Sequence, residues 1–374
     1  ENMLTDIRIT KLAEMLIQNA VQLKEGDNIL IETIDTPPAL AVELVRAVYA
    51  AKGNPFLKHT DSRIQRERLL GLQEKAMQEE ADLDLEQMKH MQAYIAIRGS
   101  ENSLEMSDVP AEKMAAFRKI RREVLNHRVN KTRWCILRWP NPSMAQSAGM
   151  STEAFEDFYF KACLADYPAM SKAADALVQL MNRTDKVRLV AQDTDISFSI
   201  RDIPAVPCCG NMNIPDGEVY TAPVRDSING VIHYNAPTVY EGKRFENVRL
   251  VFENGKIVEA TSSDTEGLNK ILNTDEGARY VGEFAIGFNP FITKPMCDIL
   301  FDEKIAGSIH FTPGQCYEEA PNGNQSAIHW DMVLMMAPEH GGGEIWFDDV
   351  LIRKDGIFVL DELLPLNPDK LGKL

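Results

Sequence analysis

Asn28-Ile29-Leu30-Ile31-Glu32-Thr33, the segment 37–52 closed by Gly53, and Pro55-Phe56-Leu57-Lys58-His59 together decide the fold class. The outer two stretches are strand-length runs rich in apolar residues. The middle one opens on proline and is followed by glycine, the asymmetry expected of a helix. Strand, helix and strand in this order predict a βαβ unit. The alternation continues, with 69–92 reading as helix, 93–98 as strand, 110–126 as helix and 133–137 as strand. Repeated βα units imply a parallel sheet covered by helices, because each crossover carries an amphipathic helix back over a sheet face. Helices over about 152–166 and 168–182 lead into a strand at 187–191, after which helical periodicity almost vanishes. Short strands then dominate, at 230–235, 249–252 and 342–347, with Asn254-Gly255 as a hairpin turn. The expected organisation is an α/β domain over 1–190, doubly wound-like with a mainly parallel sheet, followed by a β-rich α+β domain over 191–374.

The chain has 374 residues, 44% of them hydrophobic, enough for two domains with substantial cores. Its formal net charge of -16 repels phosphate backbones and anionic lipid surfaces, so neither nucleic acid nor a membrane is an expected partner. Apolar residues at Ile9, Leu12, Ala13, Leu16, Ile17, Ala20 and Leu23 form a helical stripe broken by Lys11, Glu14 and Gln18. Such a stripe is neither a secretory h-region nor a membrane span. Six cysteines, at 135, 163, 208, 209, 297 and 316, lack C-x-x-C spacing and read as reduced thiols, so a cytoplasmic enzyme is expected. The adjacent pair Cys208-Cys209 reads as core or loop packing rather than metal binding, because the carboxylates that follow it, from Asp216 and Glu218 on, are hard oxygen ligands in thiolate-poor company. Neither G-x-G-x-x-G nor G-x-x-x-x-G-K occurs in the N-terminal sheet, so no cofactor-binding nucleotide motif is indicated. Gly341-Gly342-Gly343 lacks the lysine and helix of a phosphate loop, and His340 beside it reads as a turn residue. Asp61 reads as a helix N-cap, Trp139 as packing, and Arg138 as a residue able to meet a substrate carboxylate.

Chemistry concentrates further along. His329 and Asp331 stand two apart, and on a strand they would point to one face and offer the nitrogen and oxygen ligands of a catalytic metal. An ordinary hydrogen-bonded pair is the plainer reading of that motif alone. Upstream, Glu218 follows the turn Pro215-Asp216-Gly217 at the start of a β-branched and aromatic run. Glu283 falls inside an apolar run, where a carboxylate needs a partner or a cation. His310 ends a strand-like segment that begins at Gly307-Ser308. Singly, Glu218 is a solvated strand residue, His310 a core histidine, and Asp302-Glu303-Lys304 a solvated charge cluster. Together, three carboxylates and two imidazoles exceed what one open four-coordinate zinc accepts, and they suit two ions with one bridging carboxylate.

Five blocks carry a resemblance to a known family. They are Pro215 through Pro223, Gly282-Glu283 with Ala285-Ile286-Gly287, the run from Asp302 to His310, the run from Ser326 to Met332, and Arg138-Trp139-Pro140-Asn141-Pro142-Ser143-Met144-Ala145-Gln146. With the opening strand Glu25-Gly26-Asp27-Asn28-Ile29-Leu30-Ile31, they occur in the order found in the thermophilic-type dinuclear metallo-aminopeptidases, which the chain resembles over most of its length. The resemblance implies two divalent ions (Zn, Co, Mn or Mg) held by Glu218, Glu283, His310, His329 and Asp331, with Glu283 as bridge. It further implies an active-site tyrosine at Tyr317, peptide substrates with a free N-terminus, and a homodimer. Glu218 or Glu303 would move the proton, and Ser326, Thr221 and Asn289 would support the ligands by hydrogen bonds. The stretch between His310 and His329 is shorter than in the longer family members, which bears on the loops shaping the pocket. Short relatives of the fold include an Fe(II) ring-cleaving enzyme similar to 2,5-dihydroxypyridine dioxygenase, for which His310, His329 and Asp331 would suffice. Glu218 and Glu283 are superfluous to that chemistry and favour the hydrolase.

Overall fold

Strand β1 (Asn28–Ile34) lies between β2 (Asn54–Thr60) and β3 (Ala93–Arg98), and β4 (Arg133–Arg138) follows β3, every pair parallel. The structure is a computed structural model and describes residues 6–102, 104–240 and 242–373. A fifth, two-residue strand, Asn213–Ile214, adds in parallel to β4. The crossovers are helical, as the βα alternation predicts. Two of the expected helices are each split in two. The 69–92 stretch is divided between Ser62–Leu70 and Glu74–Lys89, and the 110–126 stretch between Ala111–Ile120 and Arg122–Lys131. Arg121, at φ -88 and ψ 3, marks the second break. Asp61 caps Ser62–Leu70 by accepting from the backbone of Arg63 and Ile64.

Contacts divide the chain into two units, Glu1–Leu164 with Gly210–Ile214, and Ala165–Cys209 with Pro215–Leu374. This differs from the expected break at 190. The helix Tyr167–Arg183 belongs to the second unit because it buries Tyr167, Met170, Ala174, Leu177, Leu180 and Met181 there. Gly210–Ile214 returns to the first because its strand pairs with β4. Neither event leaves a local signature in sequence.

The second unit contains two larger antiparallel sheets. One has eight strands, in the order 256–261, 249–253, 229–233, 194–199, 186–191, 343–347, 350–354 and 357–358. The other has five: β5 (Val206–Cys208), β6 (Glu218–Thr221), β7 (Val281–Gly287), β8 (Ser308–Pro313) and β9 (Val333–Met335), ordered β9-β8-β7-β6-β5. Phe198 and Phe252 of the larger sheet meet Phe284 and Phe311 of the smaller, with ring centroids 5.0 to 5.9 Å apart across the sheets and 6.3 Å between Phe284 and Phe311 themselves. Side chains alternate along a strand, so a strand that turns Phe284 or Phe311 into this aromatic layer turns its neighbours to the opposite face. Among the described residues no helix is long and apolar enough to cross a membrane.

Arg353 is a second link between the sheets. Its buried guanidinium donates to the carbonyls of Gly356 (3.1 Å), Ser308 (3.0 Å) and Gly287 (2.8 Å), tying the 350–354 strand to the ends of β7 and β8. Phe311 is fully buried in the aromatic layer, against Phe198, Phe252 and Phe284. Replacing it by alanine should cost about 3–5 kcal/mol of unfolding free energy. Denaturant titration of the metal-free protein tests this, and a loss under about 1 kcal/mol would show that the aromatic layer is not the main support of the sheet.

Candidate metal centre

Glu218 opens β6 directly after the turn Asp216-Gly217. Gly217 has φ +136, and a Cβ there would stand 3.0 Å from the Asn289 backbone nitrogen, so only glycine lets the chain enter the strand so close to its neighbour. On β6, Glu218 and Tyr220 share one face. On β7 the matching residues are Glu283 and Ala285, and on β8 they are His310 and Thr312. The ladder sets these side by side: Glu218 opposite Gly287, Ala285 opposite both Tyr220 and His310, and Glu283 opposite Thr312. Small residues at 285 and 287 leave room for the larger polar groups around them.

His329 and Asp331 arrive differently from the expectation. They lie on an extended but irregular stretch before β9, with His329 in an isolated bridge to Gly314. Alternation survives there, because Trp330 turns the other way, donating from its indole N–H to Thr238 (2.9 Å) and packing against Tyr240 and Phe245. Gly314, at φ +112, is required for this approach, since a side chain would collide with the Ile328 carbonyl.

The five residues named from sequence converge. Nε2 of His310 is 3.3 Å from Glu283, and Nδ1 of His310 is 3.5 Å from Glu218. Nε2 of His329 lies 3.1 Å from Glu283 and 3.1 Å from Asp331. Two ligand groups result, Glu218-Glu283-His310 and Glu283-His329-Asp331, each with its donor atoms within 4.8 Å of one another. Glu283 is common to both. Three buried atoms in these groups, Oε2 of Glu218, Nδ1 of His310 and Nε2 of His329, have no hydrogen-bond partner. Buried polar atoms without partners are costly, and a cation coordinated by these lone pairs would satisfy them, so the donor set fits divalent metal. Nδ1 of His329 is 2.8 Å from the Gln315 carbonyl, which only accepts, so that nitrogen carries the proton and Nε2 faces the ligands.

Lys304 has no role among the residues expected from sequence, where Asp302-Glu303-Lys304 singly reads as a solvated charge cluster. Its side chain is buried, with Nζ paired to Glu303, 3.3 Å from Glu218 and 3.8 Å from Asp216. Asp302 is buried too, accepting from the backbone of Met296 (2.7 Å) and Cys297 (2.9 Å). Glu303 brings an oxygen into a further group with His310 and Asp331. Thr312 donates to Asp331 at 2.7 Å, the supporting role expected of Ser326 and Thr221. Those two bond elsewhere, Ser326 to Asp275 and Thr221 to the Ile203 carbonyl on the opposite face of β6. Asn289 supports the site indirectly by donating to the Asp216 carbonyl at 2.8 Å. The Tyr317 ring stands 4.8 Å from that of His329 and 5.3 Å from that of Tyr220. His340 joins no ligand group among the described residues, whereas Cys208 forms one with Asp216 and Glu218.

A sequence profile of the thermophilic metalloprotease (M29) family matches residues 5–344. The chain belongs to that family. It is therefore a hydrolase of the metalloprotease class, and a divalent metal is implied. Aminopeptidase T of Thermus aquaticus is 26% identical over 388 residues, covering 87% of this chain and 92% of the relative. The solved structure of AmpT from Thermus thermophilus superposes with a TM-score of 0.80 at 23% identity, over 95% of this chain and 99% of that one. A 2,5-dihydroxypyridine dioxygenase from Pseudomonas putida KT2440 shares the fold with a TM-score of 0.61 at 13% identity, over 95% of this chain and 98% of that one.

Metal held by these groups would compete with protons. Burial works against charging His310, but Glu218 and Glu283 outweigh it and push the imidazole up to about 10. His329 is likewise desolvated, yet Asp331 and Glu283 push it up to about 12. Burial raises the Glu218 carboxyl to about 8 despite Lys304. Both histidines thus hold protons at neutral pH in metal-free protein. Their ion pairs stabilise that form fully below the ordinary histidine pKa of about 6.5, and the contribution is lost as pH rises through the raised values. Metal must displace these protons. Calorimetric loading of chelator-treated protein at about pH 7 should therefore release protons, seen as a buffer-dependent enthalpy, and affinity should rise between about pH 6 and 9. Affinity independent of pH over that range would contradict the assignment of these groups as ligands.

Proposed function

We propose that the chain is an aminopeptidase that uses two divalent ions to remove N-terminal residues from peptides. The observation that carries this reading is the sharing of Glu283 by two ligand groups in which three buried atoms, Oε2 of Glu218, Nδ1 of His310 and Nε2 of His329, have no hydrogen-bond partner. Glu218, Glu283 and His310 would hold one ion, and Glu283, His329 and Asp331 the other, with Glu283 as bridge. When bound, Zn, Co, Mn or Mg ions in such a pair would acidify water and polarise the scissile carbonyl. The aminopeptidase T relatives, matched over 92% of their length, support a peptide with a free N-terminus as substrate. A face crowded with carboxylates also favours a cationic α-amine over a blocked, neutral terminus.

The chain's own groups divide the remaining tasks. Glu303, steadied by Lys304 and close to His310 and Asp331, is assigned the proton transfer from water to the leaving amine. Glu218 is less free for it, being engaged by Lys304 and facing His310. The Tyr317 hydroxyl is assigned to donate to the oxyanion as charge develops there. A homodimer and a cytoplasmic location complete the proposal, the latter supported by six free thiols. The iron dioxygenase reading is weaker, because His310 and His329 fall in different ligand groups and each is paired with Glu283.

Chelator-treated protein reloaded with Co, Mn or Zn should release amino acids from aminoacyl chromogenic substrates under anaerobic conditions, and not from their N-acetylated forms. Failure with every metal across a panel of N-terminal residues would defeat the proposal, as would oxygen-dependent ring cleavage in its place. Glu283→Ala should lose at least one bound ion. Its activity should fall by more than the roughly 10–100-fold that loss of a supporting hydrogen bond costs.

A further inference from the structure

Beside the two groups that share Glu283 lies a third constellation. Cys208, Asp216 and Glu218 also bring their donor atoms within 4.8 Å of one another. The backbone gathers them, for Cys208 stands opposite Glu218 on the β5–β6 ladder and Asp216 precedes Glu218 by one glycine. A sulfur and two carboxylates are a reasonable ligand set for a thiophilic divalent ion. Here, however, a fully buried ammonium is already present. Nζ of Lys304 contacts both carboxylates of the trio, at 3.3 Å from Glu218 and 3.8 Å from Asp216, and also pairs with Glu303.

We propose that this constellation is a third cation pocket which the chain fills with its own lysine, so that Lys304 fixes the metal content of the site. Charge count supports it. The ionised carboxylates of Asp216, Glu218, Glu283, Glu303 and Asp331 carry five negative charges, and two divalent ions with one ammonium carry five positive. The arrangement is rigidly held. Asn289 donates its backbone N–H to the Lys304 carbonyl (3.0 Å) and its side-chain amide to the Asp216 carbonyl (2.8 Å), anchoring lysine and pocket to one residue. Lys304 also decides how Glu218 is used. Its ammonium engages Oε1, while Oε2 has no hydrogen-bond partner and is turned to His310. Lys304 is thus a positioning residue. A tethered ammonium cannot exchange, so the pocket is closed to a third ion that would engage Glu218 through Oε1.

The total of two metal ions rests on the proposed function, but the role of Lys304 is read from a difference between proteins. Chelator-treated wild type, Lys304→Gln and Lys304→Arg would be saturated with cadmium, and the ions per chain counted by elemental analysis after gel filtration. Lys304→Gln should bind one more cadmium than wild type and gain an ultraviolet thiolate-to-cadmium band that Cys208→Ser abolishes. Lys304→Arg should keep the wild-type count. Equal counts without the band in a folded Lys304→Gln protein would overturn the inference. So would a Cys208-dependent band in the wild type, a measurement that needs no substitution at 304. A wild type holding fewer than two ions would defeat the two-ion reading instead, while the difference between variants would still decide the role of Lys304.

Discussion

Like charges crowded at low dielectric are the constraint on which the rest of the second unit depends. Glu218, Glu283, Glu303 and Asp331 meet around two imidazoles, and Coulomb repulsion among them rises steeply once water is excluded. Neutral hydrogen-bond donors, such as Thr312 on Asp331, offset only part of that. Cations must offset the remainder, and the chain provides one of them covalently in Lys304. The rest of the compensation falls to the two histidines when they are protonated, or to metal when it displaces those protons. This exchange explains why the imidazoles are so basic in the metal-free protein and why their unpartnered nitrogens face the same few carboxylate oxygens.

Such a cluster persists only on a scaffold that does not relax around it. The five-stranded sheet provides that scaffold by dividing its labour between faces, with Phe284 and Phe311 in the aromatic layer and Glu283 and His310 on the other side. Each ligand is one residue away from a core side chain. A rotation that relieved electrostatic strain would pull a phenylalanine out of its packing, so apolar burial holds the polar face in place.

Much of this was legible beforehand where the signal is local. The two-residue spacing of His329 and Asp331 points both to one side, the apolar run around Glu283 marks a carboxylate in need of a partner or a cation, and the turn at Asp216-Gly217 places Glu218 at a strand start. The βαβ reading of 28–59 corresponds to β1, β2 and the helix Pro38–Ala50 between them. What stayed hidden depends on register between distant segments. Thr312 is seen as the partner of Asp331, and Ser326 is not, only once β8 lies beside the 329–331 stretch. Lys304 looked solvated because its neighbours in sequence are charged, whereas its neighbours in space are Asp216 and Glu218. The assignment of Tyr167–Arg183 to the second unit is likewise a packing outcome, as is the return of Gly210–Ile214 to the first.

The spread of the ligands along the chain carries a kinetic consequence. Glu218, Glu283, His310 and the pair His329 and Asp331 come from three strands and the stretch before a fourth, brought together by antiparallel pairing between segments far apart in sequence. No pair among them except His329 and Asp331 can form from local structure. Loop-closure entropy delays such contacts until most of the sheet has formed. The centre is therefore a late product of folding, and a chain arrested early would hold at most the His329-Asp331 fragment. Capture of a full metal complement reports that the second unit has reached its final topology.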